Sequence, residues 1–326
     1  MALPLVLFVA LAALWLGLEA VTLAAPLFLA LPLSLIDGLV IAALFVVGHD
    51  AAHNCFTRSR RANGIVGRLA FLPSLHAFTL WDLSHNRTHH RNNNVAGIDY
   101  VWEPMTPAQW RAASSVRRAI YRFYRGPAGV PFYYLFSLWI PYLFIPGPGI
   151  TPRFRAAAWA DSLLVVAFLA LEVWAAAAWG QALGKNAGFA ILVAVALPFL
   201  FWNGFMSFVI YLHHTHPSVR WYRDEAAWEA GAGALFGTVC VRFPRPFRWV
   251  TLNIMEHNAH HLASGVPLYN VTAMQRRLEE QGGLLVWNFS LRGYLRVCQR
   301  CKLYDYDAGR WCGFDEVDSL PWGRSN

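Results

Sequence analysis

Eight histidines lie in three clusters whose spacing suits metal binding. The clusters read HxxxH, HxxxHH and HxxHH and consist of His49 and His53, then His85, His89 and His90, then His257, His260 and His261. Residues three or four apart share one face of a helix, so each cluster would direct its imidazoles to one side. Eight nitrogens exceed the three or four ligands of a single zinc ion. The pattern therefore favours two metal ions, and we expect a pair of irons.

The second cluster predicts how its ligands divide between the two ions. On an α-helix His85 and His89 are one turn apart, whereas His90 is offset by about 100° and would reach the second metal. The third cluster, MEHNAHH, should repeat this arrangement. Leaving so many imidazoles beside apolar helices without a metal would cost about 1 to 3 kcal/mol each, which favours a shared metal site.

A further histidine-rich stretch, YLHHTHP, closes a long apolar segment. We expect His214 to be a ninth ligand, His216 to be either a ligand or a partner of one, and His213 to be structural. The isolated His76 is also read as a hydrogen-bonded structural residue.

Four carboxylates close to the clusters could bind the metal or accept a hydrogen bond from a ligating imidazole, which usually donates its second N–H. The four are Asp50, Asp82, Asp99 and Glu256. Each could equally be a solvated or salt-bridged surface residue. Asp50 is the favoured orienting group because it lies inside the first cluster.

The composition is that of a membrane protein, with 56% hydrophobic and 14% charged residues in a chain of 326. About 20 helical residues cross a bilayer. Four segments are long and apolar enough, at about 3–24, 31–47, 156–179 and 187–212. We expect an all-α integral membrane protein of one domain, 1–326. The interrupted stretches Ile65 to Trp81 and Val130 to Ile145 are predicted to be interfacial or re-entrant helices.

The charge distribution predicts the topology. All but one of the 27 Lys and Arg residues lie in the two parts of the chain that carry the histidines, and Lys185 is the exception. Positive loops stay in the cytoplasm. Segments 48–155 and 213–326 should therefore form a cytoplasmic helical cap, in a bacterial inner membrane. The net charge of +8 is explained by this rule and by anionic lipid, so no nucleic-acid partner is expected.

Five cysteines are present, and the expected reducing compartment argues against disulfides. The CQRC motif has the spacing of a small metal or redox site, but with only Cys312 nearby it is one thiol short of four ligands. We interpret Cys298, Cys301 and Cys312 as structural thiols, with a small metal site or a redox pair as alternatives.

The motifs closely resemble those of membrane fatty acid desaturases, particularly the acyl-lipid omega-6 and omega-3 type. The similar segments are VVGHDAAHNCF, SHNRTHHRN followed by Asp99, YLHHTHPS and HNAHHLASGVPLYN, between about Leu44 and Arg277. The resemblance implies four membrane helices, a cytoplasmic cap, a histidine-rich diiron centre and a narrow acyl-chain tunnel. Aromatic residues that could line the tunnel, or simply pack between helices, are Phe45, Phe71, Phe78, Trp81, Phe201, Trp202 and Phe205.

The expected chemistry is oxidative. A saturated C–H bond has no acid or base handle, so a metal centre that activates O2 is required. Because no haem, flavin or nucleotide motif is visible, we expect an external donor, a ferredoxin or a cytochrome b5 with its reductase, on the basic face. Desaturation of a membrane lipid or other fatty acyl substrate is favoured. No oligomeric state is predicted.

Alternatives exist within and outside this scaffold. Decarboxylation of a free fatty acid to a 1-alkene, hydroxylation, and ketolation of a carotenoid use similar centres. A metallopeptidase is disfavoured because Asp50 replaces the glutamate of HExxH and six clustered histidines would stay unexplained. A metal transporter would not explain clusters confined to one predicted face.

Overall fold

The computed structural model describes residues 2–319, most of which are helical. The first half contains α1 (Ala2–Ala24), α2 (Leu27–Ala52), α3 (Arg60–Phe71), α4 (Phe78–Asp82), π1 (Leu83–His89), α5 (His90–Asn92), α6 (Pro107–Ala112), α7 (Ser115–Tyr124), α8 (Val130–Tyr133) and π2 (Tyr134–Phe144), where π marks a π-helical segment. The second half contains α9 (Pro152–Ala182), α10 (Ala187–Ile191), π3 (Leu192–Ala196), α11 (Leu197–His214), α12 (Glu225–Ala230), α13 (Gly233–Phe236), α14 (Arg245–Val250), α15 (His257–Leu262), α16 (Leu268–Gln281), α17 (Leu291–Arg300) and α18 (Phe314–Asp318).

Within residues 2–319, four helical stretches are long and apolar enough to cross a membrane. They are Leu3–Ala24, Leu27–Ala52, Pro152–Ala182 and Ala187–His214, the last being α10, π3 and α11 in one continuous run. Each contains one of the four predicted segments. The number and positions of the long apolar helices are therefore confirmed.

Helix α2 is the central element, and almost every residue from Asp37 to Ala52 is buried. It packs against α1, α3 and α11. A Cβ atom at Gly48 would lie 2.3 Å from the Phe71 ring, so glycine permits the close approach of α2 and α3. This packing fixes the polar end of α2, which carries His49.

The short helix that precedes π1 is held in place by α9. Asp161 of α9 accepts hydrogen bonds from the backbone N–H of Thr79 at 2.8 Å and from its hydroxyl at 2.6 Å. Arg68 of α3 donates to the same carboxylate at 2.6 Å. The start of α4, and so the entry into π1, is fixed by one buried carboxylate.

The interrupted apolar stretches differ from each other. Val130 to Phe144 is one uninterrupted helical run, α8 followed by π2, although Pro141 lies inside it. From Ile65 to Trp81 the chain is not one continuous helix, because a turn separates α3 from α4, and the interfacial or re-entrant placement stays a prediction. Pro73 has no N–H to continue the helix, and Leu75 adopts a left-handed φ of 55°.

The structure also contains four short strands that an all-α fold does not include. Within residues 2–319, β1 (Cys240–Arg242) pairs in parallel with β2 (Val286–Asn288), and β3 (Leu303–Asp305) pairs antiparallel with β4 (Arg310–Cys312). The turn between β3 and β4 has a sequence signal that was missed. Asp305 accepts hydrogen bonds from the N–H groups of Asp307 and Ala308, and Gly309 supplies a φ of 62°.

Candidate metal centre

The structure brings nine histidines together in two adjacent groups. Group A consists of His49, His53, His85, His90 and His260, and group B of His89, His214, His257 and His261. In each group one potential ligand nitrogen per residue lies within 4.8 Å of the others. The eight histidines of the three clusters and His214 are therefore the members of these two groups.

The nitrogens that converge are mainly Nε2 atoms. In group A, His85 Nε2 lies 3.2 Å from His49 Nε2 and 3.0 Å from His90 Nε2, which is 3.0 Å from His260 Nε2. In group B, His257 Nε2 lies 3.1 Å from the Nε2 atoms of both His214 and His261. The rings of His90, in group A, and His261, in group B, stack with centroids 4.2 Å apart, so the two groups are in direct contact.

The division of the second cluster differs from the prediction. The N–H of His90 donates to the carbonyl oxygen of His85, five residues earlier, because the chain is π-helical here. His85 and His90 therefore face group A together, while His89 faces group B. The expectation that His90 would be the offset residue is wrong, since it assumed the α-helical period.

The third cluster follows the α-helical period in α15. His257 and His261 are four residues apart and both belong to group B, whereas His260 belongs to group A. The remaining ligand candidates come from helix ends: His49 and His53 from the end of α2, and His214 from the end of α11. Four separate chain segments thus contribute to one centre.

Burial favours the neutral form of several of these imidazoles. Desolvation, followed by repulsion from neighbouring histidines, lowers the pKa of His85, His90 and His257 well below its usual value. Desolvation also lowers the pKa of His53 to about 3. Neutral imidazole is the form that binds metals, because protonation would occupy the lone pair.

The arrangement fits two transition-metal ions. Ring nitrogens whose lone pairs face one another at about 3 Å need a proton or a cation between them. Within the described residues, four of these histidines also have an Nδ1 atom without a hydrogen-bond partner: His90, His257, His260 and His261. Several imidazoles per group suit iron, zinc or copper rather than magnesium or calcium, which prefer oxygen ligands.

Two of the four candidate carboxylates contact these histidines. The Nδ1–H of His89 donates to Asp99 at 3.0 Å, and Asp99 also accepts from the backbone N–H groups of Asn94 and Val101. Asp50 is 3.5 Å from Nδ1 of His49, which is longer than a hydrogen bond, and accepts from the N–H of Leu268 at 2.8 Å. Asp99, rather than Asp50, is therefore the hydrogen-bonded orienting group.

The other two carboxylates and His216 lie elsewhere. Asp82 accepts from Asn86 at 2.6 Å and is paired with Arg87, and Glu256 is paired with Arg248 at 2.8 Å. Their side chains make hydrogen bonds to these residues instead of to imidazoles. His216 belongs to neither group and accepts a hydrogen bond from the N–H of Ser218.

His213 and His76 have structural partners. The His213 ring stacks on His257 with centroids 3.7 Å apart, and its Nε2 lies 3.2 Å from the sulfur of Met255. His76 bridges the carbonyl oxygen of Ser74 at 2.7 Å and the hydroxyl of Tyr134 at 2.8 Å. Neither belongs to group A or group B.

An apolar cavity extends from the histidines into the helices, with about 890 Å³ of space that includes open solvent. Its lining includes His49, His85, His89, His214 and His257. Four of the seven aromatic tunnel candidates also line it: Phe45, Trp81, Trp202 and Phe205. The cavity is therefore continuous with both groups.

The three other aromatic candidates do not line this cavity and pack between helices instead. Phe71 packs against Gly48, Phe78 against Gly67 and Phe201 against Gly38. The prediction missed Tyr134 and Leu138, which line the cavity and lie four residues apart in π2. Their spacing on one helix was a usable signal, but that segment was read as an interfacial or re-entrant helix and its side chains were not considered for the tunnel.

Two further sets of potential ligands do not form a comparable site. In one set arginines neutralise the carboxylates, and in the other the cysteines lie in different hydrophobic clusters. Cys240, Glu256 and Glu279 converge, but Arg248 pairs with Glu256 and Arg242 with Glu279. Cys298 and Cys301 are buried in one hydrophobic cluster, and Cys312 lies in another. Among the described residues these three thiols form no metal-ligand group, and the structural and redox interpretations both stay predictions.

Comparisons with known proteins give a consistent result. The sequence model of the family described as fatty acid desaturase matches residues 22–290. The sn-1 oleoyl-lipid 12-desaturase of Picosynechococcus sp. is 28% identical over 294 residues, covering 89% of this chain and 81% of the relative. The corresponding enzyme of Synechocystis sp. is 28% identical, covering 83% and 75%. The chloroplastic omega-6 fatty acid desaturase of Arabidopsis thaliana is 28% identical, covering 82% and 58%.

Proposed function

Because this chain belongs to the fatty acid desaturase family, we propose that it is an O2-dependent diiron enzyme that introduces a double bond into a fatty acyl chain. The observation that carries the proposal is the convergence of nine histidines beside an apolar cavity that five of them line. The relatives support desaturation over decarboxylation, hydroxylation or ketolation, since each is named as a desaturase and all are oxidoreductases.

Groups A and B would each hold one iron through neutral imidazole nitrogens. Iron bound there would supply the oxidising power that attack on a saturated C–H bond requires. Asp99 accepts the Nδ1–H of His89 and so keeps Nε2 of that ring free to act as a ligand. The backbone N–H groups of Asn94 and Val101 hold the carboxylate itself in place.

The cavity would hold the acyl chain and exclude water. Its apolar wall includes Phe45, Trp202, Phe205 and Leu138, and it contacts histidines of both groups. Excluding water protects a strongly oxidising centre from side reactions, and a narrow apolar channel places one short stretch of methylenes beside the histidines. Which carbons lie there decides the position of the double bond.

Two electrons per turnover would come from a separate carrier, a ferredoxin or a cytochrome b5. Exposed arginines beside the first histidine cluster, Arg58, Arg60 and Arg61, offer a positive surface to an acidic partner. The charge distribution supports a cytoplasmic cap, with the loop at Lys185 on the opposite side of the membrane. The cap and the long apolar helices would form one domain. Tags inserted at Lys185 and after Asn326 should report opposite sides, and finding both on one side would contradict this topology.

A lipid and headspace profile of a host that expresses the chain tests the reaction. We expect a new internal double bond in cellular fatty acids that depends on O2, and no such product from a His260→Ala variant. The purified protein should need O2, a reductant and a carrier. A terminal alkene with CO2 would establish decarboxylation instead, and turnover without O2 or reductant would overturn the diiron proposal.

A further inference from the structure

A second cavity adjoins the apolar one and differs from it in chemistry. This cleft has about 900 Å³ of space that includes open solvent, and its polar lining includes Arg87, Thr88, Thr151 and Arg153. No carboxylate lines it among the described residues. The cleft is therefore a cationic, hydroxyl-bearing site next to an apolar channel.

Both arginines of the cleft contact the same aromatic ring. The guanidinium carbons of Arg87 and Arg153 lie 4.5 Å and 4.6 Å from the centroid of the Phe154 ring. Arg87 is partly neutralised by Asp82 at 3.5 Å, whereas Arg153 has no carboxylate partner in residues 2–319. Two like charges near one ring repel each other, and an anion in the cleft would reduce that repulsion.

The start of α9 adds to the positive field. Thr151 is the N-cap residue of this 31-residue helix, and its side chain makes no capping hydrogen bond. The first N–H groups of a helix and the positive end of its dipole favour an anion, and the Thr151 hydroxyl is free to donate to one. Because α9 is a candidate membrane span, the cleft lies at the depth where a span begins.

The cleft and the apolar cavity share two residues, Ser84 and Tyr100. The hydroxyls of these two side chains hydrogen-bond to each other, and the Tyr100 ring stacks on Tyr142 at 4.5 Å. Ser84 directly precedes His85 of group A. The two spaces therefore meet at a pair of polar side chains beside the metal centre.

We propose that this cleft binds the anionic head group of the acyl substrate, a carboxylate or a phosphate, through Arg87 and Arg153. The acyl chain enters the apolar cavity at Ser84 and Tyr100, once their mutual hydrogen bond has broken. Arginine forks bind both oxyanions through charge-assisted hydrogen bonds. The inference rests on the proposed function, because it assigns the substrate class of the same site.

The proposal also gives the direction of the chain. The cavity reaches Ala42, which precedes His49 by seven residues, or about 10 Å along α2. Leu138 and Leu143 of π2 line it as well. With the head group at the Ser84 side, the methyl end lies towards these apolar helices and an inner part of the chain passes the histidines.

Binding to the purified full-length protein without reductant tests the proposal, because no turnover then consumes the ligand. The probes are palmitate, 1-palmitoyl-lysophosphatidic acid and the uncharged methyl palmitate, at alkaline pH. Wild-type protein should bind an anionic probe at least about tenfold more tightly than methyl palmitate. Arg153→Gln should remove about tenfold of that affinity, the Arg87→Gln/Arg153→Gln double variant more, and Arg153→Lys less.

The matched control is Arg117→Gln, which removes an exposed arginine outside the cleft and should leave all three affinities unchanged. A loss confined to palmitate identifies a fatty acid carboxylate, and a loss confined to the lysophospholipid identifies a lipid phosphate. Equal binding of charged and uncharged probes by the wild-type protein would overturn the proposal without any variant. Since the readout is affinity, its failure is distinct from a failure to find an unsaturated product.

Discussion

Two segments supply six of the nine grouped histidines, and they do so with different helical geometry. Helix α15 carries HNAHH, whereas π1 with the first residue of α5 carries HNRTHH, which has one residue more. In α15 the first and last histidines, four apart, share group B. In π1 the first and last histidines, five apart, share group A. The extra residue is absorbed by the π-helical turn, so both segments present one pair and one single histidine.

The comparison teaches that the pairing of ligands follows the local helical period rather than sequence spacing. A π-helix places residues five apart in register, while an α-helix does so for residues about four apart. The order of the groups is also reversed: α15 gives its pair to group B, and π1 gives its pair to group A. The two segments are therefore complementary halves of one centre.

The largest expected effect comes from double substitutions that test this pairing. His85→Ala/His90→Ala and His257→Ala/His261→Ala each remove ligands of one group, so each should keep about one of two metal ions and lose all turnover. His85→Ala/His89→Ala and His257→Ala/His260→Ala each affect both groups and should lose both ions. Metal analysis of the purified proteins measures this.

The opposite result in π1 would break the comparison. If His85→Ala/His89→Ala keeps about one ion and His85→Ala/His90→Ala keeps none, the segment uses α-helical pairing. The structural histidine provides the control. His76→Ala should keep about two ions, because its ring contacts Ser74 and Tyr134 rather than either group.

A deletion sharpens the comparison further. Removing Thr88 converts HNRTHH to HNRHH, the spacing found in α15, and should turn π1 into an α-helix that still presents its pair to group A. Removing Ala259 from α15 would rotate His260 and His261 by about 100° away from their groups. We expect the Thr88 deletion to keep much of its metal and the Ala259 deletion to lose it. Equal loss in both would show that the extra residue of π1 is required.

Much of the architecture could be predicted from the sequence, because a long apolar helix depends on local composition. About 20 apolar residues suffice to predict a long apolar helix, and all four were found at the predicted positions. The histidine clusters were equally visible by spacing. The π-helical turn was not, since a one-residue insertion can be absorbed as a bulge, a turn or a shift, and only packing decides which.

The remaining wrong predictions concern side-chain partners, which depend on tertiary contacts. Asp82 is three residues from His85 and was as good a candidate as Asp99, yet its side chain meets Asn86 and Arg87 instead. The arginine cleft was not predicted, because Arg153 reaches it from a part of the chain far from Arg87 in sequence. The sequence shows which residue types are available, whereas long-range packing decides their partners.

A smaller effect is expected for the carboxylates that flank π1. Asp99→Asn should lower the affinity for the group B metal about 10-fold to 100-fold, because the His89 ring loses its charged acceptor. Asp82→Asn should change metal affinity at most a few-fold, since its partners are Asn86 and a partly exposed Arg87. Competition with a chelator measures both variants, and a larger loss for Asp82→Asn would reverse the assignment.

The smallest expected effect concerns the asparagine that follows the first histidine in each segment. Asn258 is fully buried, and its Nδ2 donates to the carbonyl oxygens of Leu235 at 3.0 Å and Thr238 at 2.9 Å. Asn86 is half-buried and donates to the carbonyl oxygen of Ala52 at 3.0 Å and to Asp82. Water can replace a lost hydrogen-bond partner at the half-buried Asn86 but not at the fully buried Asn258.

Asn258→Ala should therefore lower the free energy of unfolding by about 2 to 3 kcal/mol, because it leaves two buried carbonyl groups unpaired. Asn86→Ala should lower it by less than about 1 kcal/mol, because solvent reaches the groups it exposes. Denaturant unfolding in detergent compares the two variants, and their metal content when folded should stay equal to that of the wild type. An equal loss of stability would show that α15 and π1 are anchored alike, and that the difference between them is confined to the helical period.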